Sequence, residues 1–246
     1  MELVEHLGEL RTRLVISLAA LAAAFGLTFA FHRMILGWLN APLDGKKPIT
    51  LGVAEPFTTA LTVSLYAAVA LTFPILLWQV WAYLVPAVEE TRQRDVARLV
   101  LVAAVLLTGG MAFAYWVVLP STIPFLLGFD DHLFQIEVRA RDYYSFAALT
   151  VTGVGALFEL PVFLLGLVRL GALSAARLRR SRRTGIVVLV AVSVALPGID
   201  PVTTLLQSVP LLLLFEASIW AAPIAERRRE RARLGSLAEP TPEAGA

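Results

Sequence analysis

The stretch Ser145 to Val168, SFAALTVTGVGALFELPVFLLGLV, constrains this chain more than any other. Its 24 residues make roughly 36 Å of helix at about 1.5 Å per residue, against a bilayer hydrocarbon core of about 30 Å. It therefore reads as a transmembrane helix, yet it carries one carboxylate, Glu159, near mid-depth. An ionised side chain there costs on the order of 3 kcal/mol, so it is not left facing lipid. Two uses remain: a protonated acid hydrogen-bonded inside a helix bundle, or a polar site in a cavity that a polar ligand or mobile chain visits.

The composition agrees that the bilayer is the solvent. Apolar residues make up 58% and charged residues 16% of the 246, where an average soluble domain is about 25% charged. With no Cys, disulfides, thiolate chemistry and Cys-ligated metals are excluded. His6, His32 and His132 all lie at the edges of apolar runs, and no Ser, His and Asp constellation converges on one segment. No cofactor, metal or nucleic-acid partner is expected.

The first residues, MELVEHLGELRTR, put Leu3, Leu7, Leu10 and Leu14 on one helical stripe, with Glu2, Glu5, Glu9 and Arg13 off it. That pattern predicts an amphipathic helix on the membrane surface. Leu14 to Phe31 then runs 18 residues without a charge. Ala22, Ala23 and Ala24 would suit a cleavage site, but the acid-rich flank, the length of the run and the later spans predict a retained first transmembrane helix.

The apolar runs predict an all-α polytopic membrane domain over 1–224, with six spans at about 14–31, 62–85, 96–118, 145–168, 185–196 and 202–222. The first connection, with NAPLDGKKPITLGVAEPF, is too polar for lipid and predicts a loop or cap. Pro74 interrupts the second span, and its aromatic end WQVWAY suits the membrane interface. Gly109 and Gly110 in the third allow close helix approach. Leu119 to Tyr143, with Pro120, Pro124 and EVRARD, predicts a second loop. The fifth segment, Gly185 to Leu196, has only 12 residues, about 18 Å of helix, and predicts a short hairpin that thins the bilayer around it. The sixth holds Thr203, Thr204, Gln207, Ser208, Pro210 and Glu216. Residues 225–246 predict a basic tail, disordered beyond Arg233.

An even number of spans puts both termini on one side, and charge says which. Sixteen arginines fall on that side, six of them between Arg169 and Arg183, against five Lys and Arg on the other: Arg33, Lys46, Lys47, Arg139 and Arg141. The positive-inside rule predicts cytoplasmic termini. Topology alone accounts for many of these arginines.

The individual motifs resemble one family. His6-Leu7-Gly8-Glu9-Leu10-Arg11-Thr12-Arg13 is similar to the HLxELRxR signature that opens the twin-arginine translocase receptor subunits, the TatC family. Further matches follow in order: Ala41-Pro42-Leu43, Glu55-Pro56-Phe57, Gln79-Val80-Trp81-Ala82-Tyr83 with Pro86, Gly110-Met111-Ala112-Phe113-Ala114-Tyr115, Phe158-Glu159-Leu160-Pro161-Val162 and Leu214-Phe215-Glu216. The resemblance covers Glu5 to about Ala222. It implies a six-helix, cup-shaped protein of the bacterial cytoplasmic membrane, with the last two helices short. Such a protein binds paired-arginine signal peptides and takes part in export of folded proteins on the proton-motive force. Single-span TatA/TatB-type subunits and further copies of the same chain are the implied partners. Two departures stand out. The family's first-loop Glu is Arg92 here, leaving Glu89 and Glu90 one turn earlier as the available acids. The PPD turn before the last helix reads Gly198-Ile199-Asp200.

On this resemblance Glu9, Arg11, Arg13, Glu89 and Glu90 form the signal-peptide site, and Gln79, Tyr83, Pro42, Glu159, Asp200 and Glu216 line the partner and cavity surface. The chemistry is that of guanidinium forks received bidentately by carboxylates, which lysine cannot reproduce. Periodicity alone leaves a second use for Glu9, an i,i+4 pair with Arg13 worth a few tenths of a kcal/mol. Arg11 and Arg13 also serve as topological charges, and Glu89 and Glu90 as solvated loop acids. A proton-coupled small-solute transporter, with Glu159 and Glu216 as a relay, is the alternative function. A membrane-embedded enzyme is disfavoured, because Glu159 and Glu216 without His or Cys supply no nucleophile and base.

Overall fold

The computed structural model describes residues 3–43, 45–84, 90–130, 132–133, 136–197 and 200–238. Among them the regular structure is helical. The one sheet-like contact is an isolated parallel bridge between Ile49 and Arg139.

Helix α1, Leu3–Ala30, is continuous. The expected surface helix and first span are thus one element, because no Pro lies within the stretch and Gly8 and Gly26 both sit on open faces. The chain turns at Phe31 into α2, His32–Asn40, and a short 3₁₀ turn, Ala41–Leu43. Helix α3, Glu55–Leu84, passes through Pro74 unbroken. It packs along α1, where the Thr28 hydroxyl donates to the Ser64 carbonyl at 2.8 Å.

Helix α4, Glu90–Phe113, runs into a π-helical turn, Ala114–Val118, and then α5, Leu119–Gly128. The loop expected from Leu119 is therefore helical for its first ten residues. Pro120 lies in the first turn of α5, where a missing N–H costs nothing. In the π turn before it the Leu119 N–H reaches back five residues to the Ala114 carbonyl.

The span expected from Ser145 is broken at Glu159 into α6, Ala140–Phe158, and α7, Leu160–Leu170. Pro161 is the cause: it cannot donate to the Leu157 carbonyl, and its ring crowds that turn. Helix α7 ends on Gly171 at φ 81°, a left-handed cap that favours glycine. Short helix α8, Ala175–Arg180, leads into α9, Arg182–Ala195, and a turn returns the chain into α10, Pro201–Ala238. The sequence predicts disorder beyond Arg233. The helix instead continues to Ala238 through ERRRERARL, whose residues are good helix formers in water as well as in lipid.

Among the described residues, five stretches are long and apolar enough to cross a bilayer: Leu7–Ala30, Glu55–Tyr83, Leu99–Gly128, Ala140–Arg169 and Pro201–Arg227. Helix α9, with 14 residues, makes about 21 Å and falls short. Two clusters hold the bundle together. At the loop end, Leu39 and Leu43 pack with Val63, Leu119, Ile123 and Tyr143. At the other end, Val168, Leu178, Phe215, Ile219 and Ala222 form the second. Arg13 reaches Gln79, Trp81 covers Gly166, and Val168 meets Ala222. The start of α1, the ends of α3 and α7 and the late turns of α10 are thereby gathered at this second end, the terminal end.

Candidate functional site

At the terminal end, α1 presents Glu9, Arg11 and Arg13 within its second and third turns. Arg13 donates from Nε to Glu9 Oε1 at 2.9 Å and from Nη2 to the same oxygen, while Nη1 donates to Gln79 Oε1 at 3.2 Å. The i,i+4 pair that periodicity allowed is formed, and the third contact ties α1 to α3 across 66 residues of sequence. Both side chains of the pair are half-buried, and Arg11 beside them is exposed. Arg11 and Thr12 also line a shallow groove on α1 with Gly8, Val15 and Ile16. Tyr83 lies one turn beyond Gln79 on α3 and is half-buried. Glu89 lies outside the described residues, and Glu90 is described only as the first residue of α4.

Trp81 closes this end from within. It is almost wholly buried, and its indole lies so close to Gly166 of α7 that a Cβ there would overlap the ring. Phe163 packs beside it at a ring separation of 6.2 Å. The helix that carries Gln79 is thus fixed to the one that starts just after Glu159.

Glu159 sits in the break between α6 and α7, 4% exposed. No described side chain hydrogen-bonds to either carboxylate oxygen, and the backbone of Leu107 on α4 is the one polar group that approaches them among the described residues. The crossing above it is tight: a Cβ on Gly110 would lie 2.7 Å from Phe158, and Phe113 stacks on Phe158 at 5.8 Å. Both uses of this acid stay open: it is buried in the bundle, and no side chain among the described residues hydrogen-bonds to it. Gln207 on α10 has the same character, with no exposure and both amide atoms unpartnered. Glu216, expected on the partner and cavity surface and, in the alternative transporter reading, as the second half of a proton relay, accepts from Arg182 Nε at 2.6 Å at the start of α9.

At the loop end, Asp200 caps α10. Its Oδ1 accepts from the Thr203 N–H at 2.8 Å and its Oδ2 from the Thr203 hydroxyl, which also meets Thr122 of α5 at 2.7 Å. Asp200 so ties the short hairpin to the third span. Pro42 lies in the 3₁₀ turn after α2. Three tyrosines secure that region: Tyr143 and Tyr115 donate to the carbonyls of Leu39 and Trp38 at 2.6 and 2.9 Å, and Tyr144 to Asn40 Oδ1 at 3.2 Å.

One constellation escaped the sequence. Glu55, at the first turn of α3, accepts from the backbone N–H groups of Leu51, Gly52 and Arg141, at 3.0, 3.2 and 3.2 Å. The Arg139 guanidinium donates to it at 3.0 and 3.2 Å. The carboxylate knots the first and second connections together. An acid directly before a proline is a helix-start signal that could have marked Glu55, but its partner lies 84 residues away. Among the described residues no cluster of His, Asp and Glu could hold a metal ion.

Comparison with known proteins gives a consistent result. The family model for the Sec-independent protein translocase protein TatC matches residues 5–210. Similar proteins include the TatC of Desulforapulum autotrophicum, 32% identical over 92% of this chain and 86% of its own length. The TatC of Aquifex aeolicus is 33% identical over 94% and 98%, and TatCd of Bacillus subtilis 30% identical over 96% and 97%. A crystal structure of the twin-arginine translocase receptor TatC in DDM superposes with a TM-score of 0.79 at 32% identity, covering 88% of this chain and 99% of that one. With this match along most of its length, and with bilayer-length helices in the same arrangement, the chain belongs to the TatC family of membrane-embedded protein translocase components, which are transport proteins and not enzymes.

Proposed function

We propose that this chain is the receptor and core subunit of a twin-arginine translocase, binding paired-arginine signal peptides at its terminal end and taking part in proton-motive-force-driven export of folded proteins. The observation that carries the reading is Glu9, a half-exposed carboxylate already shaped to a guanidinium: Arg13 holds it with two nitrogens while reaching Gln79 with the third. A signal-peptide arginine meets an acceptor whose geometry suits it, and recognition is an exchange in which Arg13 yields Glu9 and keeps Gln79. Glu89, and Glu90 at the start of α4, supply the second carboxylate in place of the acid lost at Arg92, and Arg11 and Arg13 orient the site. On this reading the terminal end faces the cytoplasm, in keeping with its arginines, and the membrane is the bacterial inner membrane.

Glu159 receives a polar patch on the transmembrane helix of a single-span TatA/TatB-type subunit, with Gln79, Tyr83, Pro42, Asp200 and Glu216 along the surfaces such partners and further copies of this chain meet. The test is crosslinking or affinity of a paired-arginine peptide to purified protein at fixed salt, since screening weakens every exposed ion pair. Glu9→Ala is expected to lose about tenfold or more, as a partly desolvated charge contact does when truncated on one side. Lysines in place of the peptide arginines should lose as much. Equal binding of arginine and lysine peptides, with Glu9→Ala binding as wild type, would leave HLGELRTR an ordinary surface helix.

A further inference from the structure

A cationic patch lies where α8 meets α9. Leu178 of α8 is buried in the cluster with Ala222 and Ala225 of α10. At 100° per residue this turns Arg177, Arg179 and Arg180 away from the bundle, and all three are exposed. Arg182 is tied to Glu216, whereas Arg183 is exposed and has no acidic partner among the described residues. The two other described acids nearby do not neutralise the patch: Glu226 caps the N–H of Ala175 at 3.3 Å, and Glu230 is exposed farther along α10.

Above this patch is an apolar track. Arg183, Val187, Val190 and Val194 follow one another at i, i+4, i+7 and i+11, on a single face of α9, and all four are exposed. From Arg183 to Val194 the track measures about 16 Å, close to the roughly 15 Å of one leaflet. A hydrocarbon chain laid along the valines therefore ends at Arg183, with Arg179 and Arg180 on the turn preceding it. Because α9 is shorter than the bilayer core, the headgroup layer is drawn toward these arginines.

We propose that the α8–α9 corner is a seat for an acidic phospholipid, its acyl chain on the Val187, Val190 and Val194 track and its phosphate on Arg183, Arg180 and Arg179. A soluble acidic protein would match the charge but leave the valines without a use, so the lipid is the occupant. The guanidinium fork suits a phosphate oxygen pair, and each cation near an anionic surface is worth on the order of fivefold in binding.

The experiment uses the full chain in vesicles of phosphatidylcholine with phosphatidylglycerol and reads the selectivity of protein-bound spin-labelled phosphatidylglycerol over spin-labelled phosphatidylcholine. Wild type should prefer phosphatidylglycerol. The triple variant Arg179→Gln, Arg180→Gln, Arg183→Gln should lose on the order of fivefold per arginine removed, while the lysine triple, which folds with the same charge, should keep most of the preference. The triple Arg33→Gln, Lys46→Gln, Lys47→Gln, at the other end, should keep all of it. Unchanged selectivity in the glutamine triple overturns the proposal and leaves the patch to topology or an acidic protein. Loss of selectivity on adding soluble glycerophosphate overturns it as well, since the site would then take a free phosphate.

Discussion

Gly166 shows how a single missing methyl shapes the terminal end. The Trp81 indole occupies the space a Cβ would need, and as a fused ring on a buried helix face it has no flexible end to give way. Gly166→Ala should therefore cost about 1–3 kcal/mol, the usual range for overpacking a tight core. It should appear as a lower thermal midpoint of the detergent-solubilised protein. Gly109→Ala, a residue with open space around it, is the control, expected within about 0.5 kcal/mol. An equal midpoint for both would mean that α3 and α7 can part at little cost. Glu55 makes the complementary case, in which one carboxylate serves several donors. Glu55→Gln keeps the shape but removes the charge that Arg139 and three backbone N–H groups share, and amide exchange at Gly52 and Arg141 should quicken by on the order of tenfold. Unchanged exchange would show that the Ile49 to Arg139 bridge suffices to hold the two connections.

At the scale of elements, what the sequence made legible depended on whether the cause was local. Glu159 stood out because a carboxylate in an apolar run is conspicuous whatever surrounds it, and α9 was short by plain count. The break at Pro161 was equally local, yet the same residue type misled at Leu119: Pro120 reads as a stop unless one knows that a π turn precedes it and a new first turn begins there. The Glu55 to Arg139 knot, the bonds from Tyr115, Tyr143 and Tyr144 to α2 and the Arg182 to Glu216 pair escaped because each joins residues far apart in sequence. The proposed signal-peptide residues come from motif resemblance, and only the folded chain brings Gln79 to Arg13. Helix α9 supports a prediction of its own. Both Pro201, opening α10, and Lys46, in the first connection, are exposed once lipid is ignored, but α9 reaches only about 21 Å. A cysteine at Pro201 should react with an impermeant thiol reagent at least tenfold more slowly than one at Lys46, as expected for a hairpin end recessed below the surface. Equal rates would place the hairpin end level with the other loop.

Across the whole molecule, the proposed peptide site and the proposed partner site are kept apart. Glu9 and Gln79 lie at the terminal end on α1 and α3, exposed enough to meet a soluble peptide, whereas Glu159 is buried at the α6–α7 break with no side-chain partner among the described residues. Trp81 on Gly166 fixes the helices that carry them, so each site keeps its geometry without the other's ligand. Glu159→Gln should then leave paired-arginine peptide affinity within about twofold of wild type, because it neither touches the peptide site nor loosens that contact. It should not lower stability, since a buried carboxyl with no side-chain partner among the described residues is replaced by an amide of the same shape. If Glu159 is the proposed acceptor for a partner's polar patch, co-purification of single-span partner subunits and export of a folded precursor should nonetheless fall. Measuring the three quantities on one preparation separates the outcomes. Loss of peptide affinity together with export would mean that the two sites share one conformational state, and full export with normal partner recovery would make Glu159 a residue of the bundle alone.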